Sequence, residues 1–90
     1  MKKTVITIIG KDNFGIIASA SAICAECNVN ILDITQSVLG DMFVMVMLAD
    51  IGAANCPFDA FSDKMRAFGE KAGLDVRVMH EDIFNAMHRV

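Results

Sequence analysis

The chain has no tryptophan, no tyrosine and one proline among its 90 residues. Without Trp or Tyr it lacks two of the aromatic types that stack nucleobases. It also lacks a basic run. Its 8 Lys and Arg are scattered among 11 Asp and Glu, giving a net charge of −3. Phosphate contacts need a positive patch, so direct nucleic-acid binding is not expected. No stretch approaches the roughly 20 apolar residues of a membrane-spanning helix. The opening "MKKTVITIIGKDN" carries too short an apolar run for a secretion signal and no small-residue cleavage site. Three cysteines, an odd number, suit a reducing compartment better than a disulfide scaffold. These absences predict a cytoplasmic protein with no membrane or nucleic-acid partner.

What is present is apolar: 54% of residues are hydrophobic and mean hydropathy is +0.48. A chain of this length is one domain with a barely sufficient core. Much of its apolar surface is therefore expected between subunits.

The hydrophobic period sets the elements. Lys3 to Ile9 is rich in β-branched residues and reads as a strand. After the loop Gly10 to Gly15, Ile16, Ile17, Ala20, Ile23, Cys24 and Cys27 form one helical stripe, with Asn28 as a stop. Val29 to Leu39 alternates, which predicts a strand. Leu32, Ile34, Gln36 and Val38 are expected to face the helices, and Ile31, Asp33, Thr35, Ser37 and Leu39 to face away. Gly40-Asp41 has tight-hairpin chemistry. Met42 to Ala49, "MFVMVMLA", is apolar on both faces, so its second face also needs a cover. Pro57 suits a first helical position, and Phe58, Phe61, Met65, Phe68 and Ala72 follow at helical spacing. Gly73 suits the C′ position. Leu74 to His80 alternates again. Ile83, Phe84, Met87 and Val90 give a short amphipathic helix that must dock to be stable.

The order β-α-β-β-α-β predicts an α+β, ferredoxin-like sandwich. It has a four-stranded antiparallel sheet, two helices on one face and a short C-terminal helix. The second strand lies at an edge. It is long and contains no proline, which invites pairing with a second copy.

"GKDNFG" begins like a P-loop but ends in Gly15-Ile16-Ile17, without the Lys-Ser/Thr that holds phosphate and magnesium. Nucleotide hydrolysis is not expected. Two readings stay open. Asp12 and Asn13 cap the helix, or the helix N-terminus takes a carboxylate. Cys24-Ala-Glu-Cys27 is a C-x-x-C motif. It lies at the C-terminal end of its helix, where the dipole raises a thiol pKa, and it has no second ligand pair, so core packing is the better reading. His80 and His88 lie two turns apart, too far to share a metal from one helix. With Glu81 and Asp82 they read as surface residues and a helix cap. Ser19 and Ser21 have no candidate base nearby. No catalytic residue, metal or cofactor is expected.

The pattern strand, "GKDNFGII", helix, "NVNILDITQ" resembles the ACT domain family across residues 3–80. The closest resemblance is to short stand-alone members of uncharacterised function, similar to the ACT domains of the glycine cleavage system transcriptional repressor. The tail "EDIFNAMHRV", residues 81–90, fits that subgroup. The resemblance implies a regulatory homodimer binding a small ligand, often an amino acid, at the subunit interface. It places ligand contacts at Asp12, Asn13, Phe14, Gly15 and Ile16, with Asn30 and Ile31 from the neighbouring subunit. Serine-binding members also carry Asn at Asn30, but Asn at Asp12 and His at Gly10. No catalytic domain accompanies the ACT-like unit, which implies output through a separate regulated protein. The alternative is a structural or protein-interaction module without a ligand.

Overall fold

The computed structural model describes residues 2–11, 15–82 and 85. The chain runs β1 (Lys3–Gly10), α1 (Ile16–Glu26), β2 (Asn30–Leu39), β3 (Met42–Asp50), α2 (Phe58–Ala72) and β4 (Asp75–His80). All neighbouring strands are antiparallel, in the order β2-β3-β1-β4. This is the ferredoxin-like arrangement, with β2 at one edge as its sequence position requires.

The core lies between the sheet and the helices. β1 supplies Ile6 and Ile8, and β3 supplies Phe43, Met45, Met47 and Ala49. From the helices come Ile16, Ala20 and Cys24 of α1, with Phe61 and Met65 of α2. Burying a side chain such as Phe61 contributes roughly 1.5–3 kcal/mol. Thr4, also fully buried, donates its hydroxyl to the Met79 carbonyl at 2.7 Å. The helical stripe is narrower than its period suggests, because Ile17 lies at its flank and is exposed.

The two helices end alike. After α2, Gly73 takes φ 73°, its N–H reaches the Glu70 carbonyl, and the Leu74 N–H reaches the Gly69 carbonyl. This pair of bonds is the Schellman motif. After α1, Asn28 takes φ 56°, its N–H reaches the Ala25 carbonyl, and the Val29 N–H reaches the Cys24 carbonyl. Asn28 thus does for α1 what Gly73 does for α2, since Asn tolerates the left-handed region better than most side chains. Pro57, expected as the first helical residue, instead occupies the N-cap of α2, and the helix begins at Phe58.

β2 departs from simple alternation. A bulge falls between Ile31, opposite Ala49, and Asp33, opposite Leu48. The inserted Leu32 shifts the phase. Ile31 therefore packs against the core together with Ile34, instead of facing away from it. Leu32, expected to face the helices, is exposed. Gln36 and Val38 do align with the helix-facing residues Met45 and Phe43. Yet Gln36 is exposed and Val38 is 67% exposed. Gly40 turns the hairpin with φ 63°, as a tight turn demands.

β3 has two apolar faces, as its sequence requires. Phe43, Met45, Met47 and Ala49 are buried beneath the helices, and Val44, Val46 and Leu48 on the other face are half-buried. Glu81 and Asp82 turn helically after β4. The expected docking face of the tail, Ile83, Phe84, Met87 and Val90, lies outside the described residues.

Close helix–strand approach depends on Gly69. A Cβ there would sit 2.5 Å from Val76 Cγ2 and 3.1 Å from the Leu74 carbonyl oxygen. Gly69→Ala is expected to cost about 1–3 kcal/mol through overpacking, measured as a lower urea midpoint.

Candidate functional site

The loop between β1 and α1 opens the candidate site. Gly10 is buried, and a Cβ there would strike the Leu74 side chain. Gly15 holds the N-cap position of α1 with φ 73° and makes no side-chain cap bond. Its carbonyl accepts the Ser19 N–H at 3.0 Å. The N-cap position thus belongs to Gly15, not to Asp12 or Asn13. Those two residues and Phe14 lie outside the described residues. The first turn of α1 contains no acidic side chain. Its backbone N–H groups carry the positive end of the helix dipole. Ile16 is buried in the core, so a ligand at this turn meets its backbone, not its side chain.

The expected second half lies elsewhere. Asn30 is exposed at the start of β2, beside the half-buried Ile31. The register fixes their distance from the loop. Asn30 aligns with Asp50, and Asp50 with Lys3 at the start of β1. Gly10 aligns with Phe43, and Phe43 with Val38 near the end of β2. The loop and Asn30 therefore mark opposite ends of one sheet, roughly 20 Å apart at about 3.3 Å per residue. Within one subunit the structure brings Gly15 and Ile16 together, and Asn30 and Ile31 together, but not the two pairs.

Asn30 borders a shallow recess of about 350 Å³ lined with Ala25, Asn28, Val29 and Ala53. Its rim is strapped. Asn28 Nδ2 donates to the Ala53 carbonyl at 2.8 Å, and Asn55 Nδ2 donates to the Glu26 carbonyl at 2.9 Å. The Asn55 backbone N–H donates to the Cys27 carbonyl at 2.9 Å. These bonds hold the end of α1, and hence the entry to β2, against the loop between β3 and α2. Sequence reasoning missed the strap. Its one readable signal was an Asn at a helix end, where a left-handed residue is wanted.

The C-x-x-C cysteines are core residues: Cys24 is 1% exposed and Cys27 is fully buried. Burial, aided by the neighbouring Cys27, pushes the Cys24 thiol up to about 11. Burial also raises Cys27, and a hydrogen bond with the Cys56 thiol adds to the shift. Among the described residues no group of three or more His, Cys, Asp or Glu is arranged to hold a metal. His80 is exposed and stacks on Phe58 with ring centroids 4.4 Å apart. His88 lies outside the described residues. Ser19 is exposed and Ser21 half-buried on α1. No helix among the described residues is long and apolar enough to cross a membrane.

The ACT domain family model matches residues 2–79. The chain belongs to the ACT domain family. It is 47% identical over 90 residues to a UPF0237 protein of Methanopyrus kandleri, covering the whole of both chains. An ACT domain protein from Streptococcus pneumoniae superposes with a TM-score of 0.80 at 33% identity, covering 97% of this chain and 98% of that one. The fold also recurs in the regulatory subunit of aspartate kinase from Thermus thermophilus. There the TM-score is 0.64 at 20% identity, covering 86% of this chain and 50% of that one. ACT domains are regulatory modules that bind small ligands.

The buried thiols give a pH prediction for this ACT domain. Cys24 favours its neutral form in the fold, so its stabilising effect is complete below the ordinary thiol value of 9.0. It is lost as pH rises toward about 11. The urea midpoint is expected to fall across that window. In mildly alkaline buffer iodoacetamide is expected to label the half-buried Cys56 well before Cys24 or Cys27, checked by peptide mass mapping.

Proposed function

We propose that this ACT domain is a sensor. It binds an amino acid or similar small carboxylate where two copies meet, and it signals to a separate protein. The observation that carries the reading is the separation of the two half-sites along one sheet. One subunit alone cannot unite them. Two copies pairing antiparallel through their β2 edges would reverse one strand against the other. Asn30 of each copy would then lie near the hairpin end of the other. From there the partner's loop is about two strand spacings away, roughly 10 Å. The amides at the start of α1, whose N-cap is Gly15, suit the carboxylate. Asp12 supplies a counter-charge for an α-amino group. Asn30 and Ile31 of the second copy complete the enclosure.

The edge strand supports such pairing. From Ile34 to Leu39, β2 carries no proline and no charge, so nothing on it discourages a second strand. β4, the opposite edge, carries the exposed ion pair Arg77–Asp75 at 3.4 Å. The fold's recurrence in a regulatory subunit of aspartate kinase agrees with a sensing role.

A second reading, an interaction module without a ligand, is favoured by the hairpin tip, where Val38 and Leu39 are 67% and 66% exposed. The two readings separate in one screen. Thermal melting against each amino acid is expected to show a rise with at least one of them. A ligand at 100 times its Kd contributes about 2.7 kcal/mol. Asp12→Ala combined with Asn30→Ala is expected to abolish the shift while light scattering still reports a dimer. Gln36→Pro, at a position whose N–H points away from β3 because bonded pairs alternate back from Leu39 and Met42 at the turn, is expected to give a monomer that no longer binds. No stabilisation by any amino acid would favour the interaction module.

A further inference from the structure

We propose that Cys27 and Cys56 are a modification site, forming an intramolecular disulfide when the protein meets a low-molecular-weight disulfide. The geometry begins with the strap. The Asn55 N–H bonds the Cys27 carbonyl at 2.9 Å, which sets the residue before Cys56 directly against the backbone of Cys27. Two further bonds hold the segments in place: Asn28 to Ala53 at 2.8 Å and Asn55 to Glu26 at 2.9 Å. The two thiols are near enough to interact, since Cys56 adds to the rise of the Cys27 thiol pKa. A disulfide needs neighbouring backbones with converging Cβ atoms, and the strap brings the backbones of Cys27 and of the residue before Cys56 into direct contact.

The two thiols have different access. Cys56 is half-buried and meets solvent, whereas Cys27 is fully buried. This sets the order of events. The Cys56 thiol loses its proton and attacks one sulfur of the reagent. The reagent's S–S bond breaks, one thiolate leaves and takes up that proton, and a mixed disulfide forms on Cys56. The Cys27 thiol then loses its proton and attacks Cys56 Sγ. The second reagent thiolate leaves, takes up the second proton, and the Cys27–Cys56 bond is complete. Two protein thiols are oxidised and one reagent disulfide is reduced to two thiols. Cys24 stays reduced, because it has no solvent-facing partner. The bond would fasten the end of α1 to the β3–α2 loop beside the recess at Asn30. The oxidation state would then set how freely the entry to β2 moves.

The test treats the folded full-length protein with oxidised glutathione and maps its peptides by mass spectrometry. The expected product carries no covalent link between chains, is lighter by two hydrogens, is linked Cys27 to Cys56 with Cys24 free, and is restored by dithiothreitol. Its melting temperature is expected to exceed that of the reduced protein. Cys56→Ser, with Cys56→Ala as a second variant, is expected to yield no such product. Four results would overturn the proposal: glutathione remaining on Cys56 while Cys27 stays free, a Cys24–Cys27 link, a link between two chains, or no oxidation.

Discussion

The antiparallel register of β1, β3 and β2 is the constraint on which the rest of the molecule depends. It aligns Lys3 with Asp50 and Asp50 with Asn30, and it aligns Gly10 with Phe43 and Phe43 with Val38. Backbone hydrogen bonding makes that alignment rigid, and a slip by one residue would turn every core side chain outward. The same ladder that buries Ile6, Ile8, Met45 and Met47 therefore places the α1 start and Asn30 at opposite ends. The core and the distance between the α1 start and Asn30 follow from one set of bonds.

The helices are fitted to this sheet by their ends. α1 begins at Gly15 without a side-chain cap and stops at Asn28. The first feature leaves backbone donors oriented outward. The second sends the chain into β2 at a fixed angle, and the strap from Asn28 and Asn55 reinforces it. α2 stops at Gly73 by the same motif and delivers Leu74 under Gly10. Local backbone chemistry thus decides where the α1 start and Asn30 sit.

Much of this was legible in the sequence because period and punctuation agreed. The elements, their order, the Gly40 turn, the Gly73 and Asn28 stops and the two-faced β3 all carry local signals. Leu32 shows where such signals end. Its alternation with Ile34 is perfect on paper, but the bulge that moves Ile31 inward comes from pairing with β3, a long-range contact. The exposure of Val38 likewise depends on how far the hairpin reaches past the helices. Cys56 was invisible beside the C-x-x-C motif, because its neighbour Cys27 is distant in sequence and is met only through the strap. The candidate residues lie in two stretches of the chain, and the register shows how far apart those stretches sit within one subunit.

The central claim is that each site draws its loop from one subunit and its Asn30 from another. Subunit mixing tests this most directly. A loop variant, Asp12→Ala, and a strand variant, Asn30→Ala, are prepared separately, mixed and allowed to exchange. Binding of the amino acid found in the melting screen is then measured by calorimetry. The account predicts that neither variant binds alone and that binding reappears on mixing, because each mixed dimer regains one intact site. Continued absence of binding after verified exchange would contradict it.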